Sequence, residues 1–343
     1  NVSSIYTARI GMKIMHIIAL ALLMSGCANA QPTSTTTKLH LAGEPLPAIR
    51  HMIDMKASGD TLMFVFECED GYGQRFLRRA LIDRNSNTLE VSLDMGKRKD
   101  GYYISYMPYP FVADNGTIQV IGQDDCEIYT VRNDTALCRT MQYLMDNNSS
   151  VPFPISQYAQ DVFMTGSGKY VFIGREPNGG RQYAMIADLN SSEIHPVRQI
   201  GISPELQEWM PNAGEMAYSG KHGLLAFAYR LHPVIEIFGL DGTMLNTIEV
   251  SEPTFDPATL DEADFEQLNP LHFADISATD DYIYALYRGR AYGQVGESTI
   301  YRLDWHGNVT ARHTIDDNIS KISVIDADTL IGWTGLDFVL ISL

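Results

Sequence analysis

Along this chain, short runs of apolar residues, some alternating with polar ones and some unbroken, are separated by tight turns rich in Gly, Asp and Asn, which is a strand pattern. One such run recurs at Leu62–Phe66, Ile118–Ile121, Tyr170–Ile173, Leu224–Ala228, Tyr282–Leu286 and Thr329–Trp333. The spacing is roughly fifty residues, the length of one supersecondary repeat. Ahead of the run lies another strand, as at Asp161–Met164, Glu215–Tyr218 and Asp275–Ala278. After it come two more, joined by turns at Arg84-Asn85-Ser86-Asn87, Arg132-Asn133-Asp134, Asn190-Ser191-Ser192, Asp241-Gly242 and His306-Gly307-Asn308. Four antiparallel strands per unit, repeated six times around an axis, make an all-β, six-bladed β-propeller.

The last unit checks this reading. After Ile319 only three strands fit, Lys321–Ile325, Thr329–Trp333 and Asp337–Ser342, before the chain stops at Leu343. The alternating stretch Lys38–Ala42 ahead of the first unit is therefore expected to supply the missing strand and close the ring. A pair of β-sandwiches is the competing architecture, but it does not account for six even units.

The pattern changes at the N-terminus. Met12 to Cys27, MKIMHIIALALLMSGC, has a basic start at Lys13, an apolar stretch from Ile14 to Met24 and small residues before Cys27. This reads as a bacterial secretion signal ending in a lipobox, with Met12 as the start and residues 1–11 as a gene-model artefact. A membrane-spanning anchor is the alternative, but the run is shorter than the roughly 20 residues a bilayer needs. Cys27 would be lipidated, Ala28 after it favours the outer membrane, residues 28–38 form a polar tether and residues 39–343 the propeller.

Composition narrows the function. The chain has 25 basic and 42 acidic residues, a net charge of −17. That balance excludes a nucleic-acid partner recognised through phosphate, and it leaves the lipid on Cys27 as the attachment to an anionic membrane. No cofactor is implied, and a monomer is expected. With the lipobox, Tyr282–Arg290 (YIYALYRGR) and Tyr301–Val309 (YRLDWHGNV) in place, the chain resembles the TolB-like six-bladed propellers, specifically the bacterial lipoproteins that carry one such propeller. The resemblance spans residues 39–343 and implies a fold and an envelope address, periplasmic or surface-facing, without an activity.

The long connections all fall on the face opposite the short turns: 69–75, Ile202–Asn212, Ser251–His272 and Arg288–Ser298. Loops on a rigid scaffold are where binding tends to reside, although these loops could also simply cover blade edges. Ser203-Pro204 and Asp256-Pro257 each pair an N-cap residue with a first-turn proline, which predicts helical turns. Arginine ends the second strand in three successive units, Arg175, Arg230 and Arg288, with Arg290 close behind. Together they could bind an anionic group at the channel mouth, or each could pair with an acid such as Glu176, Glu215 or Asp275 and staple blades. Tyr109, Tyr158, Asn212 and His272 enter the innermost strands at the same mouth, where a sugar or peptide could stack.

Catalytic signatures are missing from the sequence. Its nine histidines have no HxH or HExxH spacing, and Gly166–Lys169 (GSGK) lacks the rest of a phosphate loop. No GxSxG elbow occurs, and the acid pairs Asp124-Asp125, Asp280-Asp281 and Asp316-Asp317 sit where turns are expected. Cys68 and Cys126 follow the second strands of neighbouring units and are a candidate disulfide, against free thiols as the alternative. The expected function is a non-enzymatic module that binds a small anionic or glycan ligand, or an envelope protein, through its long-loop face. The alternative is a carbohydrate- or peptide-active lyase or hydrolase working at the channel mouth of that face.

Overall fold

The computed structural model describes residues 34–68, 75–94, 107–113, 116–122, 127–132, 136–142, 160–165, 169–175, 180–188 and 193–343. Two short strands, β1 (Thr35–Lys38) and β2 (His40–Gly43), precede the first blade. Blade 1 is β3 (Ile49–Ser58), β4 (Thr61–Cys68), β5 (Arg75–Asp83) and β6 (Thr88–Asp94). Blade 2 is β7 (Pro108–Val112), β8 (Ile118–Gly122), β9 (Glu127–Arg132) and β10 (Ala136–Gln142). Blade 3 is β11 (Gln160–Met164), β12 (Lys169–Arg175), β13 (Gln182–Asp188) and β14 (Glu193–Ile200). Blade 4 is β15 (Gly214–Ser219), β16 (Leu224–Tyr229), β17 (Val234–Gly239) and β18 (Met244–Glu249). Blade 5 is β19 (Pro270–Ala278), β20 (Tyr282–Ala291), β21 (Ser298–Asp304) and β22 (Val309–Ile315). Blade 6 is β23 (Lys321–Asp326), β24 (Thr329–Trp333) and β25 (Phe338–Ser342), with β1 as its outer strand. The fold is thus the six-bladed β-propeller that the repeat predicts.

Packing explains why so many strands are apolar on both faces. Each sheet stands between two neighbours, so side chains of either parity are buried, and β16 and β17 are buried along almost their whole length. One apolar cluster fills each junction between adjacent blades. Phe64, Phe66, Trp333 and Phe338 join blades 1 and 6, and Met63, Val65, Val120 and Tyr129 join blades 1 and 2. Phe111 and Phe172 meet between blades 2 and 3, Ile173 and Phe227 between blades 3 and 4, Ile235 and Ile283 between blades 4 and 5, and Leu286 and Ile341 between blades 5 and 6.

Ring closure differs from expectation in its residues. The strand that completes blade 6 is Thr35–Lys38, antiparallel to β25, and not Lys38–Ala42. The following β2 runs parallel to β6 on the outside of blade 1, so that sheet has five strands. Leu39 is the crossing point. Its side chain is 2% exposed between two exposed strands, and its N–H donates to Phe338 O at 2.9 Å, while the next residue, His40, donates to Asn87 O at 2.8 Å. Leu39 thus anchors the crossing segment in the apolar cluster between the first and last blades.

The two inter-blade loops also part company. Asp256 caps a short 3-10 turn over Pro257–Thr259, its Oδ1 accepting from Ala258 N at 2.9 Å, as predicted. Ser203-Pro204 forms a tight turn closed by Leu206 N to Ser203 O instead of a helical one, because Asn212 draws this loop back on itself.

Candidate ligand site along the central channel

Six innermost strands, β3, β7, β11, β15, β19 and β23, surround the channel, and side-chain latches fix their relative register. Asp161 Oδ2 in blade 3 accepts from Met216 N in blade 4 at 2.6 Å, and Asp275 Oδ2 in blade 5 accepts from Ile322 N in blade 6 at 2.8 Å. Two residues further along, Ser277 Oγ accepts from Val324 N at 3.0 Å and Ser323 Oγ from Ala57 N at 2.8 Å. This register places Asp54, Asp161, Glu215, Asp275 and Lys321 at one level around the axis. Asp161 takes a left-handed backbone, φ 44°, at a register break in β11, and comparable breaks flank Asp54 and Asp275. Strained and bulged positions of this kind turn a side chain out of the pleat, here toward the axis.

The level is a buried ion cluster. Lys321 Nζ lies 3.0 Å from Glu215 Oε1 and 4.0 Å from Asp275 Oδ1, and Lys56 Nζ lies 3.1 Å from Asp54 Oδ1. Burial alone penalises all of these charges, so the ionised forms survive only where partners outweigh it. Burial lifts the Asp161 carboxyl well above the usual range, aided by the Glu215 charge, and lifts Asp275 to about 6 and Asp54 in the same direction. Glu215 is the opposite case: Lys321 and Arg230 outweigh its burial and hold it below the ordinary value. For Lys56 and Lys321, neighbouring carboxylates overcome burial and hold both as ammonium ions. Asp161 is accordingly the acid that burial favours most strongly in its neutral form, and Asp54, Glu215 and Asp275 face Lys56, Lys321 and Arg230. One carboxylate oxygen, Asp54 Oδ2, is buried without a hydrogen-bond partner.

Below this level the channel widens toward the short-turn face into a funnel of about 480 Å³. Its walls are mainly apolar, with Val112, Phe163, Met164, Ala217, Tyr218 and Ala278 among them. Ser277 and Ser323 face it from the latches, Lys221 and Asp280 stand at the rim, and Lys56 joins it to the ion cluster. The rim is tied across blades 4 and 5: Lys221 Nζ meets Asp281 at 2.6 Å, and Asp280 Oδ1 accepts from Ser219 Oγ and Lys221 N, each at 3.1 Å.

The residues singled out from the sequence lie at the opposite end. Arg230 reaches Glu215 at 3.5 Å within its own blade and keeps 39% of its side chain exposed. Arg175 donates to Gln160 Oε1 and stacks over the Trp209 ring at 3.8 Å, and Arg230 is near enough to depress its pKa further after burial. Tyr109 is buried beside the ion cluster, so these three meet at the mouth. Arg288 and Arg290 turn away from it. Both donate to Asn318 Oδ1 at 2.7 Å and to carbonyls of the Gln294–Glu297 loop, such as Gln294 O at 3.2 and 3.1 Å. Asn212 is fully buried, accepting from Ile202 N at 2.9 Å and donating to Leu206 O and Glu208 O, each at 2.7 Å, so it organises a loop. His272 does likewise through Thr254 Oγ1 at 2.7 Å and Tyr287 at 3.3 Å, and burial depresses it to about 4, leaving the ring neutral at pH 7. Tyr158, Cys27 and Cys126 lie outside the described residues; Cys68 is buried at the end of β4.

Sequence reasoning passed over the funnel and most of the ion cluster. The available signal was the recurrence of a charged residue at one position of the first strand, in IDMKA, QDVFM, GEMAY, ADISA and SKISV.

No protein-family model matches the chain, and no curated protein matches it in sequence. Solved structures do match in shape. A member of the DUF4221 family from Bacteroides vulgatus superposes with a TM-score of 0.55 at 10% identity, covering 91% of this chain and 96% of its own. A candidate exported protein from Bacteroides fragilis gives 0.53 at 10% identity, covering 92% and 96%. A protein of unknown function from Bacteroides thetaiotaomicron gives 0.52 at 11% identity, covering 90% and 76%. Likeness at such identity establishes the fold and carries no activity. Among the described residues no helix is long and apolar enough to cross a membrane, and no group of three His, Cys, Asp or Glu side chains is placed to hold a metal ion.

Proposed function

We propose that the chain is a lipid-anchored cell-envelope protein, held to the outer membrane through Cys27, whose propeller is a non-enzymatic binding module. In this reading a small ligand sits in the funnel of the short-turn face rather than at the long-loop mouth favoured by the sequence. The observation that carries it is a mainly apolar funnel of about 480 Å³ ending on an ion cluster whose groups neutralise one another. Such a floor recognises without reacting. Lys56 is held as ammonium and is no amine nucleophile, and the Ser277 and Ser323 hydroxyls already accept backbone N–H groups. None of the described lining residues is a histidine or a cysteine.

The long-loop face is largely occupied with its own order. Arg288, Arg290, Asn212 and His272 each hold a loop, and only Arg230 among the four arginines combines a long ion pair with substantial exposure. The test is to fill the funnel: Ala278→Trp, at its half-buried wall, should abolish capture of small amphipathic probes while leaving the unfolding midpoint within a few degrees. Turnover of any member of a glycan or peptide panel by the wild type, lost in Ala278→Trp, would establish the lyase or hydrolase alternative instead.

A further inference from the structure

We propose that the funnel takes an apolar-bodied monoanion, such as a carboxylate on a hydrocarbon or aromatic body, with its charged group paired to the Lys56 ammonium. This rests on the reading of the funnel as a ligand site and goes further by naming the chemistry of its occupant. Among the described residues, three that line the funnel carry formal charge: Lys56, Lys221 and Asp280. Two of them are engaged at the rim, Lys221 with Asp281 at 2.6 Å and Asp280 with Ser219 and the Lys221 backbone. Lys56 alone stands where the funnel meets the ion cluster. An ammonium offers three donors, and the hydrogen bond to Asp54 Oδ1 at 3.1 Å uses one. Its side chain keeps 17% of its surface open and lines the funnel.

Charge count then sets the class. A cation entering the funnel meets Lys56 at the bottom and Lys221 at the rim, and finds no unengaged carboxylate among the described lining residues. A dianion satisfies Lys56 with one charge but brings the second toward Asp54, whose Oδ2 is already buried without a donor. A single negative charge fits. The body must be apolar because Val112, Phe163, Met164, Ala217 and Ala278 offer it no hydrogen bonds, while Phe163 and Tyr218, with ring centroids 6.0 Å apart and planes tilted by 47°, add aromatic surface for a ring or chain to pack on.

Octanoate and octanol separate the charge from the body, and calorimetric titration of the folded full-length propeller reads both. Octanoate is expected to bind the wild type about tenfold or more tightly than octanol, the scale of one partly desolvated charge-assisted contact. Removing Lys56 alone would strand Asp54, so the deletion is made as the pair Asp54→Asn and Lys56→Met. This double variant should lose that advantage and keep the octanol affinity, and Lys56→Arg should retain it. Equal binding of octanol and octanoate by the wild type, or an octanoate preference that survives in the double variant, overturns the anion assignment but leaves the funnel as a ligand site. Binding of either probe that is insensitive to Ala278→Trp, or no binding of either to folded wild type, overturns the site itself.

Discussion

Replacing Lys321 by Met tests the ion cluster most sharply. The side chain is 10% exposed, with its ammonium 3.0 Å from Glu215 and 4.0 Å from Asp275, so Met fills most of the volume while stranding two carboxylates in a low-dielectric channel. Deleting one partner of a buried pair leaves an uncompensated charge, which costs about 3–5 kcal/mol. The cost depends on pH, and the sign follows from the orphaned groups. Without Lys321 the folded-state pKa of Glu215 and Asp275 rises above the unfolded value, so their protonated forms favour folding. Stability is then restored as pH falls through the raised values and lost as pH climbs past them. Urea unfolding of the variant should therefore show a deficit of about 3–5 kcal/mol at pH 7.5 that shrinks toward pH 5. Adding Glu215→Gln should recover about 1.5–3 kcal/mol at pH 7.5, since one stranded charge is gone. A deficit below about 1 kcal/mol, equal at both pH values, would refute the claim that Lys321 neutralises the channel acids.

Other consequences follow from the same geometry. Leu39→Ala removes the buried side chain at the crossing from blade 6 to blade 1, and should cost about 2–4 kcal/mol in chemical unfolding, whereas Leu41→Ala, on the neighbouring exposed strand, should cost under about 0.5 kcal/mol. Burial raises Asp275 from 3.8 to about 6, so in the wild type its contribution is whole below pH 4 and is lost as pH rises through 6. In Asp275→Asn that decline should flatten by about 3 kcal/mol at most between pH 4 and 7.5. Asn269 is 1% exposed and ties Asp256 N, Thr259 Oγ1 and Phe265 O together at 2.8 Å each, so Asn269→Ala should raise proteolytic nicking within 251–272 before it lowers the global midpoint.

The fold was legible because a propeller repeats its apolar pattern, and a period is readable where single strands are ambiguous. Closure was legible in principle but displaced in residue. Thr35–Lys38 is an outermost strand exposed on both faces, so no apolar alternation marks it, while the alternating KLHLA draws attention to itself because Leu39 alone turns inward. Loop caps divided on local chemistry: Asp256 found a backbone N–H to cap, whereas Asn212 took up the turn that follows Ser203. Three of the arginine-face residues, Arg175, Arg230 and Tyr109, do converge, whereas Arg288, the third of the successive arginines, is drawn off by Asn318. The ion cluster stayed hidden for a physical reason. In an isolated strand an Asp or Lys reads as a surface residue, and only the ring of six inner strands turns one register position of each into a shared buried site.

Hydrogen–deuterium exchange with anilinonaphthalene sulfonate, an aromatic monoanion, tests the central claim most directly, because it reports which face of the ring a ligand occupies. Protection is expected at the channel ends of the inner strands and their turns, in peptides covering 161–165, 216–221 and 276–280, with the long loops 202–212 and 251–272 unchanged. Protection confined to those two loops and the strand ends at Arg175 and Arg230 would contradict it and return the site to the long-loop mouth.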